Sequence, residues 1–161
     1  MSTDRPQDGR SFVPPRWVYR ALWALHRAGY AISGGRLGLR SAAGDRLGTL
    51  RLRTTGRRSG QERATMLTYL ATGEGFAVVA SNAGADAPPA WWLNLQAQPR
   101  AQVDLPGRSV RAEARAAAAE ERAQLWDRFV ERQGLYEQYA AKTEREIPIV
   151  ILEPSTREAD A

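Results

Sequence analysis

One glycine-flanked stretch, RTTGRRSGQER at 53–63, concentrates four arginines within eleven residues. Guanidinium groups this close repel one another unless an anion binds among them. A glycine-flanked turn also directs backbone N–H groups toward a phosphate. The residues of such an anion site would be Arg57, Arg58, Ser59, Gly60 and Arg63. A solvated hairpin tip accounts for the same residues, so spacing alone leaves both interpretations open.

A second stretch, SNAGADAPPAWWLNL at 81–95, places a loop of small residues between an apolar strand and two adjacent tryptophans. Small side chains at the end of a strand let a planar ligand approach the backbone closely. Trp91 and Trp92 could form the wall of such a site. Packing in the core is the alternative, and it is favoured for Trp91.

Tyr136 and Tyr139 are three residues apart, which places them on one face if their segment is helical. Hydroxyl groups directed into a cavity can orient a carbonyl or nitro oxygen, whereas tyrosines on the surface do not. The spacing by itself is a weak indication of either role.

The residues that the chain lacks exclude several kinds of chemistry. There is no cysteine, and His26 is the only histidine. Disulfides, thiolate nucleophiles and metal clusters built on cysteine or histidine are therefore excluded, so no metal site is expected. If the protein is an enzyme, a bound cofactor must carry the difficult chemistry.

Composition indicates one domain with a basic surface. The chain has 161 residues, of which 43% are hydrophobic, a formal charge of +5 and a pI of about 10.2. The charge favours anionic partners without choosing among phosphates, nucleic acid and acidic lipid. Nucleic acid is not expected, because the aromatic residues do not interleave with the basic ones as in an RNA-binding platform.

The N-terminal part is predicted to contain a disordered segment at 1–13 and an amphipathic helix at 14–31. Arg16, Arg20 and Arg27 share one face of this helix with Trp23. The face could lie on an anionic membrane surface or be solvated. Because no apolar run reaches the length of a membrane span, we expect a cytoplasmic protein, peripheral at the inner face of the membrane at most.

Strands and helices are predicted from the periodicity of apolar residues and from turn signals. The expected strands are 49–55, 63–71, 76–81, 100–105, 108–116 and 147–154. Helices are expected at 90–98 and 118–133, and a short helix or ordered loop at 134–146. This order indicates an α+β fold, a small antiparallel barrel with a few covering helices at 32–154, followed by a tail at 155–161.

Three motifs together resemble the deazaflavin-dependent nitroreductase family. They are LRTTGRRSGQER, then VVASNAGAD with PAWWLNLQAQPRAQV, then YEQYAAKTEREIPIVILEP, and the similarity spans about 33–154. Members of that family are split β-barrel oxidoreductases that use reduced coenzyme F420. The resemblance therefore implies a split β-barrel of the FMN/F420-binding type.

The resemblance also implies roles for individual residues. In the family the arginine turn binds the phosphate and the polyglutamate tail of the deazaflavin, and the strand-end segment lies against its ring. The residues assigned to the cofactor are Arg57, Arg58, Ser59, Gly60, Arg63, Ala80, Ser81, Asn82 and Trp92. Tyr136 and Tyr139 would orient the acceptor, and Ser81 would stabilise the ring as its charge shifts.

Several residues depart from the family's pattern and leave the acceptor open. They are Arg58, Glu62, Thr68, Asn82, Trp92 and Gln133. Glu62 would bring a negative charge beside the tail, and most of the other changes would lie around the substrate pocket. A quinone is the expected acceptor, with nitroaromatic reduction as a side activity, in a monomer or a homodimer. The alternatives are an FMN-dependent enzyme on the same barrel and an F420 carrier without turnover.

Overall fold

The computed structural model describes residues 38–44, 46–73 and 75–155. The predicted segment at 1–13 and the predicted helix at 14–31 lie outside these residues. So does the predicted tail, apart from Ser155. Within the described part of the chain, no helix is both long and apolar enough to cross a bilayer.

Six antiparallel strands form a closed barrel in the order β1-β2-β3-β6-β5-β4. They are β1 (Gly48–Thr55), β2 (Glu62–Ala71), β3 (Phe76–Val79), β4 (Arg100–Leu105), β5 (Arg108–Ala116) and β6 (Ile149–Pro154). Pairing of β1 with β4 closes the barrel. The predicted α+β class and antiparallel barrel are confirmed.

The alternation of β1 explains why this segment is a strand of a barrel. Leu50 and Leu52 are fully buried, whereas Arg51 and Arg53 lie on the opposite face and are half-buried. Successive side chains of a strand point to opposite faces, so one set fills the barrel and the other faces outward. The hairpin register pairs Thr55 with Glu62 and places the arginine turn at the end of the barrel.

Three helices and one short 3-10 turn accompany the barrel in the described residues. They are α1 (Ala90–Ala97), α2 (Ala119–Arg132), α3 (Leu135–Ala140) and the turn Asn82–Gly84. The helix α1 packs its tryptophans and Leu95 with the side chains inside the barrel. Leu125 and Phe129 of α2 and Tyr136 of α3 pack with the outer side of β3 and β6.

Two predicted elements are shorter than expected, and each has a local cause. Strand β3 ends at Val79, because the chain turns at Ser81 into the 3-10 turn. Strand β6 begins at Ile149 and not at 147, since Pro148 has no N–H to donate to a strand ladder. Its carbonyl still accepts from the N–H of Ala80 at 2.9 Å and holds the end of β3 in place.

Candidate active site

A cavity of about 650 Å³ opens at the end of the barrel. The β1–β2 turn, the segment that follows β3, and α1 and α3 all contribute to its wall. Its size lies within the range of small-molecule sites, roughly 300–1,000 Å³. The cavity therefore brings together three stretches that lie far apart in the sequence.

The β1–β2 turn is closed by two backbone hydrogen bonds. The N–H of Gly56 donates to the Gln61 carbonyl at 2.8 Å, and that of Gly60 donates to the Gly56 carbonyl at 2.7 Å. Gly60 has φ +67, a conformation that residues with a Cβ rarely adopt. Arg57, Arg58 and Ser59 line the cavity together with Arg63, whereas Gly60 does not.

The four arginines of the stretch do not form one cluster, because Arg53, which was not assigned to the anion site, lies apart from the other three. Arg53 faces the other side of the barrel wall, where its Nη2 lies 2.9 Å from Asp104 Oδ1. Its Nη1 lies 3.3 Å from Glu62 Oε2. Glu62 therefore neutralises Arg53 on the outer surface and is not among the residues lining the cavity.

Asp104, the carboxylate nearest to Arg53, is stabilised in its ionised form. Burial by itself would raise the pKa of Asp104, but hydrogen bonds from Ser109 and Arg53 outweigh it and lower the pKa below its usual value. Ser109 donates its hydroxyl to the carboxylate at 2.5 Å. The ionised Asp104 carboxylate pairs with Arg53 on the outer face, away from the cavity.

Asn94 of α1 connects the arginine turn to the barrel. Its Oδ1 accepts from the backbone N–H of Arg57 at 3.1 Å and from Arg57 Nη1 at 3.4 Å. Its Nδ2 donates to Thr54 Oγ1 at 3.2 Å. Asn94 is only 5% exposed, so this buried amide fixes the position of Arg57 relative to β1 and α1.

The charged side chains among the described lining residues of the cavity are all positive. Three arginines line it, and no aspartate or glutamate does among the described residues. The remainder of the lining is mostly small or apolar, including Leu67, Val79, Pro89 and Trp91. Such a cavity favours a ligand that combines an anionic part with a flat, uncharged part.

A strained turn forms the wall next to β3. Asn82 has φ 47, Ala83 has φ 54 and Gly84 has φ 80, so three consecutive residues are left-handed. Such a conformation costs on the order of 1–3 kcal/mol for a residue with a Cβ, and it persists only where neighbouring groups enforce it. Ser81, which is 8% exposed, lines the cavity with Asn82 and Ala83.

Arg145, in the segment between α3 and β6, forms hydrogen bonds with the chain before and after this turn. Its Nη2 donates to the carbonyls of Ser81 at 2.8 Å and Ala80 at 3.1 Å, and its Nε donates to the Ala85 carbonyl at 2.9 Å. Thr143 adds a bond from its Oγ1 to Asp86 Oδ1 at 2.9 Å. The guanidinium of Arg145 thus connects the chain before the left-handed residues to the chain after them.

The two tyrosines have different surroundings, which corrects the expectation that they share one face toward the ligand. Tyr139 is half-buried and lines the cavity, whereas Tyr136 is buried behind it. The two ring centroids are 6.2 Å apart in an edge contact, and Tyr136 also packs on Phe129 at 5.2 Å. Burial raises the pKa of Tyr136 to about 12, and nearby Tyr139 contributes to this rise.

Both tryptophans are buried in the core inside the barrel, which agrees with the interpretation favoured for Trp91. Trp91 also lines the cavity, whereas Trp92, which was assigned to the cofactor, does not. Adjacent residues of a helix are about 100° apart around its axis, so only one of the pair can face a given surface. Ala80 is fully buried and is not among the lining residues.

Two of the departures expected around the substrate pocket lie elsewhere. Thr68 and Gln133 line a separate cavity of about 470 Å³, together with Arg40, Arg46 and Arg132. The side chain of Thr68 hydrogen-bonds to Tyr136, which lowers the pKa of the phenol against the effect of burial. The expectation that these two residues contact the same ligand as Ser81 is not supported by their position.

Sequence reasoning missed Asn94 and Arg145. Asn94 carried a usable signal, because it is a polar residue three positions after Trp91, on the buried side of a short apolar helix. Arg145 carried none, since its partners are carbonyl groups about sixty residues earlier in the chain.

Comparison with known proteins identifies the family. The F420H(2)-dependent quinone reductase family matches residues 23–154. The F420H(2)-dependent quinone reductase Rv1261c of Mycobacterium tuberculosis (strain H37Rv) is 33% identical over 144 residues, which cover 85% of this chain and 95% of that protein.

Solved structures agree in fold. One described as an F420-H2 dependent reductase has a TM-score of 0.60 and 33% identity, covering 65% of this chain and 93% of that one. Another, described as a domain-swapped dimer, has a TM-score of 0.64 and 29% identity, covering 88% of this chain and all of that one. The chain belongs to the F420H(2)-dependent quinone reductase family and is an oxidoreductase whose cofactor is reduced coenzyme F420.

Proposed function

We propose that the cavity at the end of the barrel binds coenzyme F420 and that a quinone is reduced there. The phosphate and glutamate tail would bind at Arg57, Arg58 and Arg63, with Ser59 beside them. The observation that carries this proposal is the one-sided charge of the cavity, which has three arginines and no carboxylate among its described lining residues. Carboxylates and phosphates are the anions that guanidinium groups bind best.

The remaining lining residues fit a planar ring. Small side chains at Ser81, Asn82 and Ala83 leave the backbone accessible from the cavity. Leu67, Val79 and Trp91 supply apolar surface around them. We infer that the ring lies against this turn, with the Ser81 hydroxyl positioned to stabilise it as its charge shifts.

The contribution of the chain to the reaction is binding and orientation. When bound, the reduced cofactor supplies the hydride. The Tyr139 hydroxyl would donate a hydrogen bond to the oxygen of the acceptor and hold it near the ring. Apolar side chains of the cavity, such as Leu67, Val79 and Trp91, would exclude water from the ring. Tyr136 would act through Tyr139, against whose ring it packs at 6.2 Å.

The acceptor that we propose is a quinone, with nitroaromatic compounds as secondary substrates. Rapid mixing of the protein and reduced F420 with menadione, followed by the absorbance of the oxidised deazaflavin, tests this directly. We expect the cofactor to be oxidised in the presence of either acceptor class, faster with quinones. An unchanged spectrum with every quinone in a panel would instead indicate an F420 carrier.

The cofactor can be tested separately from turnover. Titration with F420 and with FMN under the same conditions should give a saturable signal for F420 alone. Micromolar binding of FMN with no binding of F420 would contradict the proposed site and favour the FMN-dependent alternative.

Two assembly properties are also proposed. We infer a homodimer, since a relative of the same fold is described as a domain-swapped dimer. The basic face of residues 14–31 would make a peripheral contact with an anionic membrane, as its sequence suggests. Light scattering tests the first property. Sedimentation with anionic vesicles tests the second, and absence of co-sedimentation at low salt would dismiss it. The cytoplasmic location stays a prediction.

A further inference from the structure

The turn that follows β3 holds one residue, Ala83, in a conformation that its type does not favour. Asn82 and Ala83 both carry a Cβ, yet both have positive φ. Ala83 in particular has no polar side chain to stabilise a left-handed backbone. The turn's own backbone bonds close it, from the N–H of Gly84 to the Ser81 carbonyl at 2.9 Å and from that of Ala85 to the Asn82 carbonyl at 3.0 Å, and groups outside the turn add to its support.

Arg145 is the group that reaches both ends of this turn. It donates to the carbonyls of Ala80 and Ser81 before the left-handed residues and to that of Ala85 after them. Two further side-chain hydrogen bonds of the turn each reach one point only. Asn82 Nδ2 bonds the Ala87 carbonyl at 2.8 Å, and Thr143 bonds Asp86. Neither of these contacts spans the turn.

The carbonyls that Arg145 holds determine where the neighbouring N–H groups point. A trans peptide is planar, so its N–H is directed opposite to its C=O. The peptide units that join Ala80 to Ser81 and Ser81 to Asn82 therefore turn their N–H groups away from the guanidinium. Both Ser81 and Asn82 line the cavity, whereas Arg145 does not.

We propose that Arg145 is a positioning residue, which holds the Ser81–Ala83 turn in its left-handed conformation and so sets the surface on which the ring and the acceptor are aligned. This role rests on the proposed function of the cavity. The anionic tail binds elsewhere, at a turn fixed by Asn94. Removal of Arg145 should therefore impair hydride transfer much more than cofactor binding.

The variants Arg145→Gln and Arg145→Lys separate geometry from charge. Glutamine keeps one amide donor without the charge, and lysine keeps the charge without the planar fork that reaches several carbonyls at once. Arg132→Gln is the matched control. Its guanidinium also donates to a backbone carbonyl, that of Arg128 at 2.9 Å, but it lines the separate cavity and not the one formed by the Ser81 turn.

Hydrogen exchange of the cofactor-free protein is the first measurement. In both Arg145 variants, the amides of residues 80–86 should exchange faster while those of β1 and β4 keep their wild-type protection. The control variant should leave the 80–86 amides unchanged. Equal protection of 80–86 in wild type and Arg145→Gln would overturn the proposal.

Kinetics with reduced F420 and menadione is the second measurement. We expect kcat to fall between about tenfold and a hundredfold in Arg145→Gln, as for a small misplacement of reacting groups. The dissociation constant for F420 should change by less than about threefold. A loss of F420 affinity equal to the loss of kcat would also overturn the proposal, since it would show general damage to the site.

The outcomes distinguish this inference from the function on which it rests. If wild-type protein does not bind F420, the proposed function fails, and the exchange measurement still decides whether Arg145 holds the turn. If F420 binds and the 80–86 amides exchange faster without a change in kcat, the positioning role fails alone.

Discussion

At the scale of single residues, Arg57 differs from the other arginines of its turn because Asn94 holds it from two directions. The amide oxygen of Asn94 accepts from the backbone N–H of Arg57 and from its Nη1. A side chain already held in one place loses less entropy when an anion binds. Arg57 is therefore the arginine whose removal should cost the most.

Arg57→Ala should weaken F420 binding by about 1.5–3 kcal/mol, the usual contribution of a hydrogen bond to a charged group. Fluorescence titration of F420 measures the change. Arg108→Ala is a suitable control, because Arg108 is an exposed arginine in the β4–β5 hairpin and does not line the cavity. Equal affinities for wild type and Arg57→Ala would remove Arg57 from the site.

Tyr139→Phe should lower kcat by roughly tenfold or more while leaving F420 affinity nearly unchanged, because it deletes one donor to the reacting acceptor. Tyr136→Phe is the comparison, since Tyr136 is buried and does not line the cavity. Steady-state kinetics with menadione measures both. A larger loss of kcat in Tyr136→Phe than in Tyr139→Phe would contradict the assignment of the acceptor contact to Tyr139.

The pKa of Tyr136 predicts alkaline sensitivity. Its pKa is raised to about 12, mainly by burial, from an ordinary value near 10. Between these values the unfolded chain loses the proton and the folded protein keeps it, so stability falls as the pH rises from about 10 to 12.

A difference titration tests this value. The tyrosinate absorbance of wild type minus that of Tyr136→Phe should have its midpoint near pH 12 if the protein remains folded. The phenylalanine variant should also lose less stability between pH 10 and pH 12. A midpoint near 10 would show that Tyr136 is solvated.

The sequence could predict which residue types form the site, but only in part which individual residues. Arg57, Arg58 and Arg63 line one cavity with Ser81, Asn82 and Tyr139, and their roles in binding stay predictions. The choice between Trp91 and Trp92 depended on the rotation of α1, which apolar residues on all sides of that helix leave undefined. The role of Arg145 depends on its hydrogen bonds to distant backbone carbonyls, and such bonds leave no recognisable pattern in a sequence.

At the scale of elements, the alternation of β2 separates two adjacent charges. Arg63 lines the cavity, whereas Glu62 pairs with Arg53 on the outer face of the barrel. Neighbouring residues of a strand point to opposite sides, and this period is visible in the sequence. The place of Glu62 follows from the start of β2 at Glu62, a residue that the predicted strand at 63–71 left in the turn.

Glu62→Gln should leave F420 affinity within about twofold of wild type, because Glu62 faces away from the cavity and an exposed ion pair contributes little. If Glu62 instead opposed the anionic tail, the variant would bind F420 several-fold more tightly. Titration at low ionic strength gives the largest contrast between these outcomes. Arg63→Gln, on the cavity side, should weaken binding under the same conditions.

Most strands and helices could be predicted from the periodicity of apolar residues and from turn residues, whereas their exact ends could not. The two hairpins β1–β2 and β4–β5 match the predicted positions closely, since glycine-containing turns fix their registers. The end of β3 differs because the left-handed turn at 82–84 is stabilised by Arg145, far along the chain. Local sequence cannot report a contact of that kind.

At the scale of the whole molecule, cofactor binding should stabilise the fold. A ligand that binds only the folded state adds about 2.7 kcal/mol when its concentration is 100 times its dissociation constant. F420 should therefore raise the melting temperature, and FMN at the same concentration should not. A rise with FMN alone would support the FMN-dependent alternative.

The closure of the barrel has a consequence for how copies of this domain associate. In the described part of the chain, each of the six strands pairs with a neighbour on both sides over at least part of its length, which limits the free strand edge open to a second copy. A dimer is then expected to form mainly through side chains or by exchanging a segment. Exchange of a strand requires hydrogen-bonded strands to separate first, which makes it slow at working temperature. In that case the ratio of monomer to dimer would be set when the chain folds and would then persist on dilution.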